Sequence, residues 1–211
     1  IDEYGINHGP GVEIDGVVWA PVNCGYHAED FPWGKLYQWG RKYGQGYNGD
    51  YYDENDRLVG SYSTAIVPTL SEGVVSLSDG QAQENADIFY TNQCNVSSDD
   101  WALHPYDYLW ECGDEYLSIK TDYDPCPEGW RVPTSDELNA LIENYSSWTA
   151  DEKGQSGYWF SGMTPYSDDA SQVFLPAAGY RQPLRGTCYY LGRRGFYWSS
   201  TPYNNSAMRI G

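Results

Sequence analysis

Asp124-Pro-Cys-Pro-Glu-Gly-Trp-Arg-Val-Pro-Thr134 is the stretch on which the reading of this chain turns. Pro127 and Gly129 are expected to turn the backbone, Trp130 and Val132 to alternate as buried positions of a short strand, and Pro133 to stop that strand one residue before a helix cap. Thr134, with Glu137 three residues on, forms a capping box; Leu138, Leu141, Ile142 and Tyr145 then recur at the spacing of a single helix face. The spacing predicts a helix that begins after Thr134 and ends near Tyr145-Ser146.

Toward the N-terminus, residues 12–22 alternate, turn at Asp15-Gly16 and continue as an apolar run, which predicts a hairpin. In residues 34–43, Leu36, Trp39 and Tyr43 recur at helical spacing between Gly34 and Gly44, predicting a first, short helix. Residues from about 45 to 120 are acidic and rich in Gly, Ser, Asn and Asp, without a sustained period. Either short elements lie within this stretch or it is a loop-rich acidic insertion on a smaller scaffold. After the second helix come short, glycine-punctuated strand candidates at 157–161, 172–176, 188–191 and 195–199. Two short helices with short antiparallel strands and long loops make an α+β domain, with residues 1–211 as a single unit.

With 21 Tyr, 9 Trp and 23 Gly, the chain has the rigid amphipathic rings and turns of a binding surface, and its hydrophobic content argues against disorder. A net charge of -18 repels a phosphate backbone and an acidic lipid surface, so no nucleic-acid partner is expected. No apolar run approaches the ~20 residues of a membrane span, so no membrane insertion is expected. All 30 acids lie at or before Asp169, whereas Arg181, Arg185, Arg193, Arg194 and Arg209 follow it. This basic end reads either as a packing device against the acidic body or as an anion-tolerant binding face. Cys24, Cys94, Cys112, Cys126 and Cys188 contain no C-x-x-C pair, which favours disulfides over a zinc or redox motif. At least one disulfide is expected, with an odd thiol left over.

Five segments in order carry a family resemblance: residues 17–23 (VVWAPVN), 34–39 (GKLYQW), 124–134 as quoted, 175–181 (LPAAGYR) and 195–201 (GFYWSST). In this order they resemble the Fibrobacter succinogenes major paralogous domain, common in surface proteins of gut Bacteroidetes. The resemblance implies a C-type-lectin-like fold and an extracellular or cell-surface, outer-membrane-attached location. It also implies a closing strand after residue 201 that the sequence to Gly211 does not show, so that strand is expected to be missing. A cysteine on it would supply a sixth partner.

Catalytic constellations are thin. His8, His27 and His104 stand in no ligand-spaced pair and beside no motif nucleophile. The formylglycine-generating enzymes, distant relatives of that fold, use a cysteine pair in a context absent around Cys188. No enzymatic activity is expected, and no cofactor. Asp50, Asp53 and Asp56 gather hard oxygen donors in one turn-rich loop, the chemistry that suits Ca²⁺, although the spacing is not that of an EF-hand.

The C-terminal segment is dense in the residue types that dominate recognition surfaces. Arg193 and Arg194 in the turn Gly192–Gly195, with Tyr197, Tyr203, Asn204, Asn205 and Arg209, form the expected ligand-binding face, and Trp198 is expected in the core. The reading is an extracellular recognition module for a protein or glycan, resembling in this region the retroelement-diversified lectin-like proteins. The alternative is a fimbrial tip or stalk subunit assembled by strand addition; a carbohydrate-active enzyme acting through paired carboxylates comes third.

Overall fold

The computed structural model describes residues 1–47, 50–61, 69–72, 88–91, 101, 108–114, 117–152, 155–161, 172–203 and 206–210. The Asp15-Gly16 turn forms with both residues at positive φ (49° and 80°) and joins strands β1 (Val12–Ile14) and β2 (Val17–Trp19) as an antiparallel hairpin. Helix α1 (Ser135–Glu143) starts as the sequence demands. Thr134 accepts the Glu137 N–H, and the Glu137 carboxylate accepts the Thr134 N–H at 2.8 Å. The helix ends two residues earlier than its apolar spacing suggests. Asn144 is extended and its side-chain amide donates to the Ala140 carbonyl and to Asp15 Oδ2, so Tyr145 opens a strand instead of a last helical turn.

That strand, β9 (Tyr145–Glu152), pairs with β10 (Gln155–Ser161), which pairs with β11 (Gln172–Pro176), all antiparallel. The hairpin, the helix and this sheet meet in a core of Ile14, Leu141, Phe160 and Val173. Ile142, on the helix flank, stays 39% exposed.

The α+β, C-type-lectin-like arrangement with two short helices is not what the chain adopts: among the described residues there are fifteen strands and one helix. The expected first helix is the main correction. Between Gly34 and Gly44 the backbone is extended and folds back, with Leu36 and Gln45 exchanging N–H···O bonds of 2.9 and 2.8 Å. Three indoles hold it open. Trp198, Trp101 and Trp110 donate their Nε1–H to the carbonyls of Tyr37, Trp39 and Arg41 at 2.9, 2.7 and 3.2 Å, taking every second acceptor of the segment. A helix would turn those carbonyls along its own axis and leave the buried indoles unsatisfied. Gly40 adds a steric reason: its φ is 82°, and a Cβ there would stand 2.1 Å from the Leu109 side chain. The helical spacing of Leu36, Trp39 and Tyr43 is therefore coincidental, since the three side chains go to different places.

The stretch from 45 to 120 contains short strands: β3 (Asp50–Tyr52), β4 (Leu58–Ser61), β5 (Thr69–Glu72), β6 (Ile88–Thr91), β7 (Glu111–Asp114) and β8 (Leu117–Lys120). It also supplies the main core, where Tyr90, Trp101, Leu109 and Trp110 pack with Trp39 and Val132. Strand β6 pairs in parallel with β5, while side chains serve its backbone as well. Gln38 donates to the Tyr90 carbonyl and accepts the Tyr90 N–H, both at 3.0 Å, and Arg41 and Gln45 donate to the Ile88 carbonyl. No periodicity reveals a strand so short whose partners are side chains.

The remaining strands are β12 (Tyr180–Arg181), β13 (Cys188–Tyr189), β14 (Tyr197–Tyr203) and β15 (Ser206–Ile210); β14 and β15 pair antiparallel. A four-stranded sheet runs in the order β12-β13-β3-β4, with β13 and β3 parallel.

Glu137 links the fold to pH. Burial opposes its ionisation, but the Arg131 ion pair at 2.6 Å and the Thr134 N–H outweigh that and hold the carboxyl below its ordinary value of 4.5. A depressed folded-state pKa stabilises above the unfolded value, and the contribution is lost as pH falls through the folded one. Glu137→Gln is expected to lower the urea midpoint at pH 7 and to flatten its decline between about pH 5 and 2, a difference that disappears once both proteins are fully protonated.

Candidate binding surface

Pleat alternation sorts the four-stranded sheet into two rows. Arg181, Cys188 and Tyr51 lie opposite one another in one row; Tyr180, Tyr189 and Tyr52 are opposite one another in the next. The first row turns inward. Cys188 is buried with Tyr47 and Leu191, and Tyr51 packs beside them. The buried Arg181 guanidinium donates to the carbonyls of Gly186 and Gly46 and lies over the Phe89 ring, and burial lowers its pKa.

The second row turns toward solvent and is extended by Tyr190 and Phe196. Tyr180 stacks on Tyr189 at 5.7 Å and on Tyr190 at 5.9 Å, and meets Phe196 edge-on at 4.9 Å; Tyr52 lies 5.9 Å from Tyr189. All five rings are half-buried, so each is held in place and each keeps a face or edge open. The platform rests on a close approach. Gly179 has φ 62°, and a Cβ there would stand 2.2 Å from the Tyr189 carbonyl oxygen.

A charged rim surrounds the rings. Tyr190 has φ 61°, a conformation that costs a non-glycine residue roughly 1–2 kcal/mol. Its carbonyl accepts the N–H groups of both Arg193 and Arg194, and the Gly192 N–H donates to Ala177, which together fix the turn. Both arginines are exposed. The Arg194 guanidinium lies 4.8 Å from the Tyr190 ring centre, and Arg193 approaches Asp53 at 4.0 Å. Across the platform the Tyr189 hydroxyl donates to Asp56 at 2.9 Å; that hydrogen bond, with partial burial and the carboxylate charge, raises the phenol pKa.

Each of the expected calcium ligands has a hydrogen-bond partner in the protein. The Ser61 hydroxyl donates to Asp50, Asp53 accepts the N–H groups of Asn55 and Arg57 within its own turn, and Asp56 serves Tyr189. Those two backbone bonds, with Arg57 and Arg193 nearby, hold the Asp53 pKa low. Among the described residues no three or more His, Cys, Asp or Glu side chains gather as a metal group would.

Of the expected ligand face, Arg193 and Arg194 flank the platform. Tyr197 does not: its hydroxyl donates to the Pro176 carbonyl, and burial pushes its pKa far up. Tyr203 and Arg209 lie on β14 and β15, Tyr203 opposite Ser206 and Arg209 opposite Trp198. Asn204 and Asn205, like Cys94 and His104, lie outside the described residues. None of the five platform rings is in the expected ligand face, and Tyr52 and Tyr180 lie outside the C-terminal segment that suggested it. Tyr52 sits in a featureless acidic loop sequence, and only the parallel pairing of β3 with β13 brings it to Tyr189. Tyr180 lies in a segment that reads as scaffold.

No protein-family model, curated protein or solved structure matches the chain. No helix among the described residues is long and apolar enough to cross a membrane, which says nothing of β-barrels.

Proposed function

We propose that this chain is an extracellular or cell-surface recognition module, akin to the surface domains whose motifs it resembles, that binds a glycan or protein ligand by contact and not by catalysis. The observation that carries the reading is the platform of Tyr52, Tyr180, Tyr189, Tyr190 and Phe196, half-buried and rimmed by Arg193, Arg194 and Asp56. Pre-stacked rings present contact area at little entropic cost, and guanidinium and carboxylate groups at the rim supply directional hydrogen bonds. A sugar ring, apolar on one face and hydroxylated at its edge, matches that combination.

Binding of the purified chain to a glycan array and to immobilised surface proteins tests the reading. The double variant Tyr189→Ala/Arg194→Ala is expected to lose at least about 30-fold in affinity, as for a hot spot, while the unfolding free energy changes by no more than about 1 kcal/mol. Undiminished binding by the double variant would place recognition elsewhere.

A second reading has one observation in its favour. Strand β4 is the edge of its sheet and exposes Leu58 and Val59, an apolar rim that a neighbour's strand could extend in a fimbrial assembly. A monomer at every concentration in sedimentation would remove this reading.

A further inference from the structure

Cys24 and Cys126 are far apart in sequence and adjacent in space. The Cys24 thiol donates to the carbonyl of Pro125, the residue before Cys126, at 3.4 Å and lies 3.3 Å from the Tyr37 hydroxyl. The backbone around both is fixed. The Cys24 carbonyl accepts the Lys35 N–H, the Cys126 N–H donates to Asp124 at 2.8 Å, and the Cys126 carbonyl is clamped by Lys120. Both residues are half-buried and held by these contacts; by contrast Cys112 is exposed and Cys188 fully buried.

We infer that Cys24 and Cys126 are the chain's structural cross-link, closed by a thiol–disulfide oxidant such as an oxidoreductase disulfide or oxidised glutathione. The hydrogen bond from Cys126, opposed by burial and aided by Tyr37, lowers the Cys24 pKa; the same bond and burial raise that of Cys126. Cys24 is therefore the thiol that ionises first. Its thiolate attacks one sulfur of the oxidant disulfide, forming a mixed disulfide and expelling one thiolate. Cys126 then gives up its proton and attacks the Cys24 sulfur, expelling the second thiolate. Two cysteine thiols lose two electrons and two protons, and the oxidant leaves as two thiols. This inference is independent of the ligand platform, which lies on other elements.

The test uses the full chain secreted into an oxidising compartment, denatured without reductant, alkylated with iodoacetamide, digested and read by mass spectrometry. The expected result is a peptide containing Cys24 joined to one containing Cys126, with the joined species split by dithiothreitol. A second measurement follows the melting temperature with and without reduction: wild type is expected to fall on reduction by several degrees more than Cys24→Ser/Cys126→Ser. Alkylation of both cysteines in the non-reduced chain, or the joining of either to Cys94, Cys112 or Cys188, would overturn the assignment.

Discussion

Asp124→Ala is expected to cost about 3–5 kcal/mol, the scale on which removing one member of a buried ion pair destabilises a fold. The side chain is 2% exposed and both oxygens are in use: one accepts the Cys126 N–H and the other the Val132 N–H, each at 2.8 Å. Lys120 stands 3.3 Å away, and its ammonium also donates to the carbonyls of Cys126, Pro127 and Trp130. One carboxylate thus shapes the whole turn from 124 to 132, and its loss orphans two N–H donors and leaves a cation in a cage of carbonyls. Asp124→Asn is expected to fall between, because an amide accepts at one site but presents a donor at the other. Urea unfolding followed by tryptophan fluorescence measures both; a loss under about 1 kcal/mol for the alanine variant would show that the turn holds without its carboxylate.

The second large effect is at Trp110, which is 1% exposed at the centre of the main core, tilted against Trp39 at 6.2 Å. Trp110→Ala is expected to cost about 3–5 kcal/mol through the cavity and lost apolar burial. Trp110→Phe separates the two roles of the indole. It refills most of the volume but leaves the Arg41 carbonyl without the indole donor, so a residual loss of about 1 kcal/mol is expected. If phenylalanine proves as costly as alanine, the indole matters mainly as a peg for the extended 37–41 segment.

Local chemistry was legible in the sequence where it is local in fact. The Thr134/Glu137 box, the Asp15-Gly16 turn and strands β10 and β11 need only neighbours in the chain, and they form where their residues indicate. The segment 34–44 was misread because its conformation is set by donors from residues 101, 110 and 198, which no window on the segment contains. The same limit applies to the binding surface. Arg193 and Arg194 stand out by type and by their glycine-bounded turn, but the platform they flank depends on a cross-sheet register that joins residues 52, 180 and 189. Asp50, Asp53 and Asp56, oxygen donors clustered in sequence, each accept a hydrogen bond from a different group of the protein.

The parallel pairing of β13 with β3, reinforced by Arg181 reaching the Gly46 carbonyl, imposes an order on how the protein is made. During synthesis the residues of β3 and β4 emerge long before those of β12 and β13, so one edge of β3 and the carbonyl of Gly46 await partners while the residues between them are made. The hairpins can form at once; the four-stranded sheet cannot be completed until the arginine-rich end has left the ribosome, and such non-local closure is slow. Before β12 emerges the chain already holds all 30 acidic residues, and like-charge repulsion disfavours contact between open strand edges on neighbouring nascent chains.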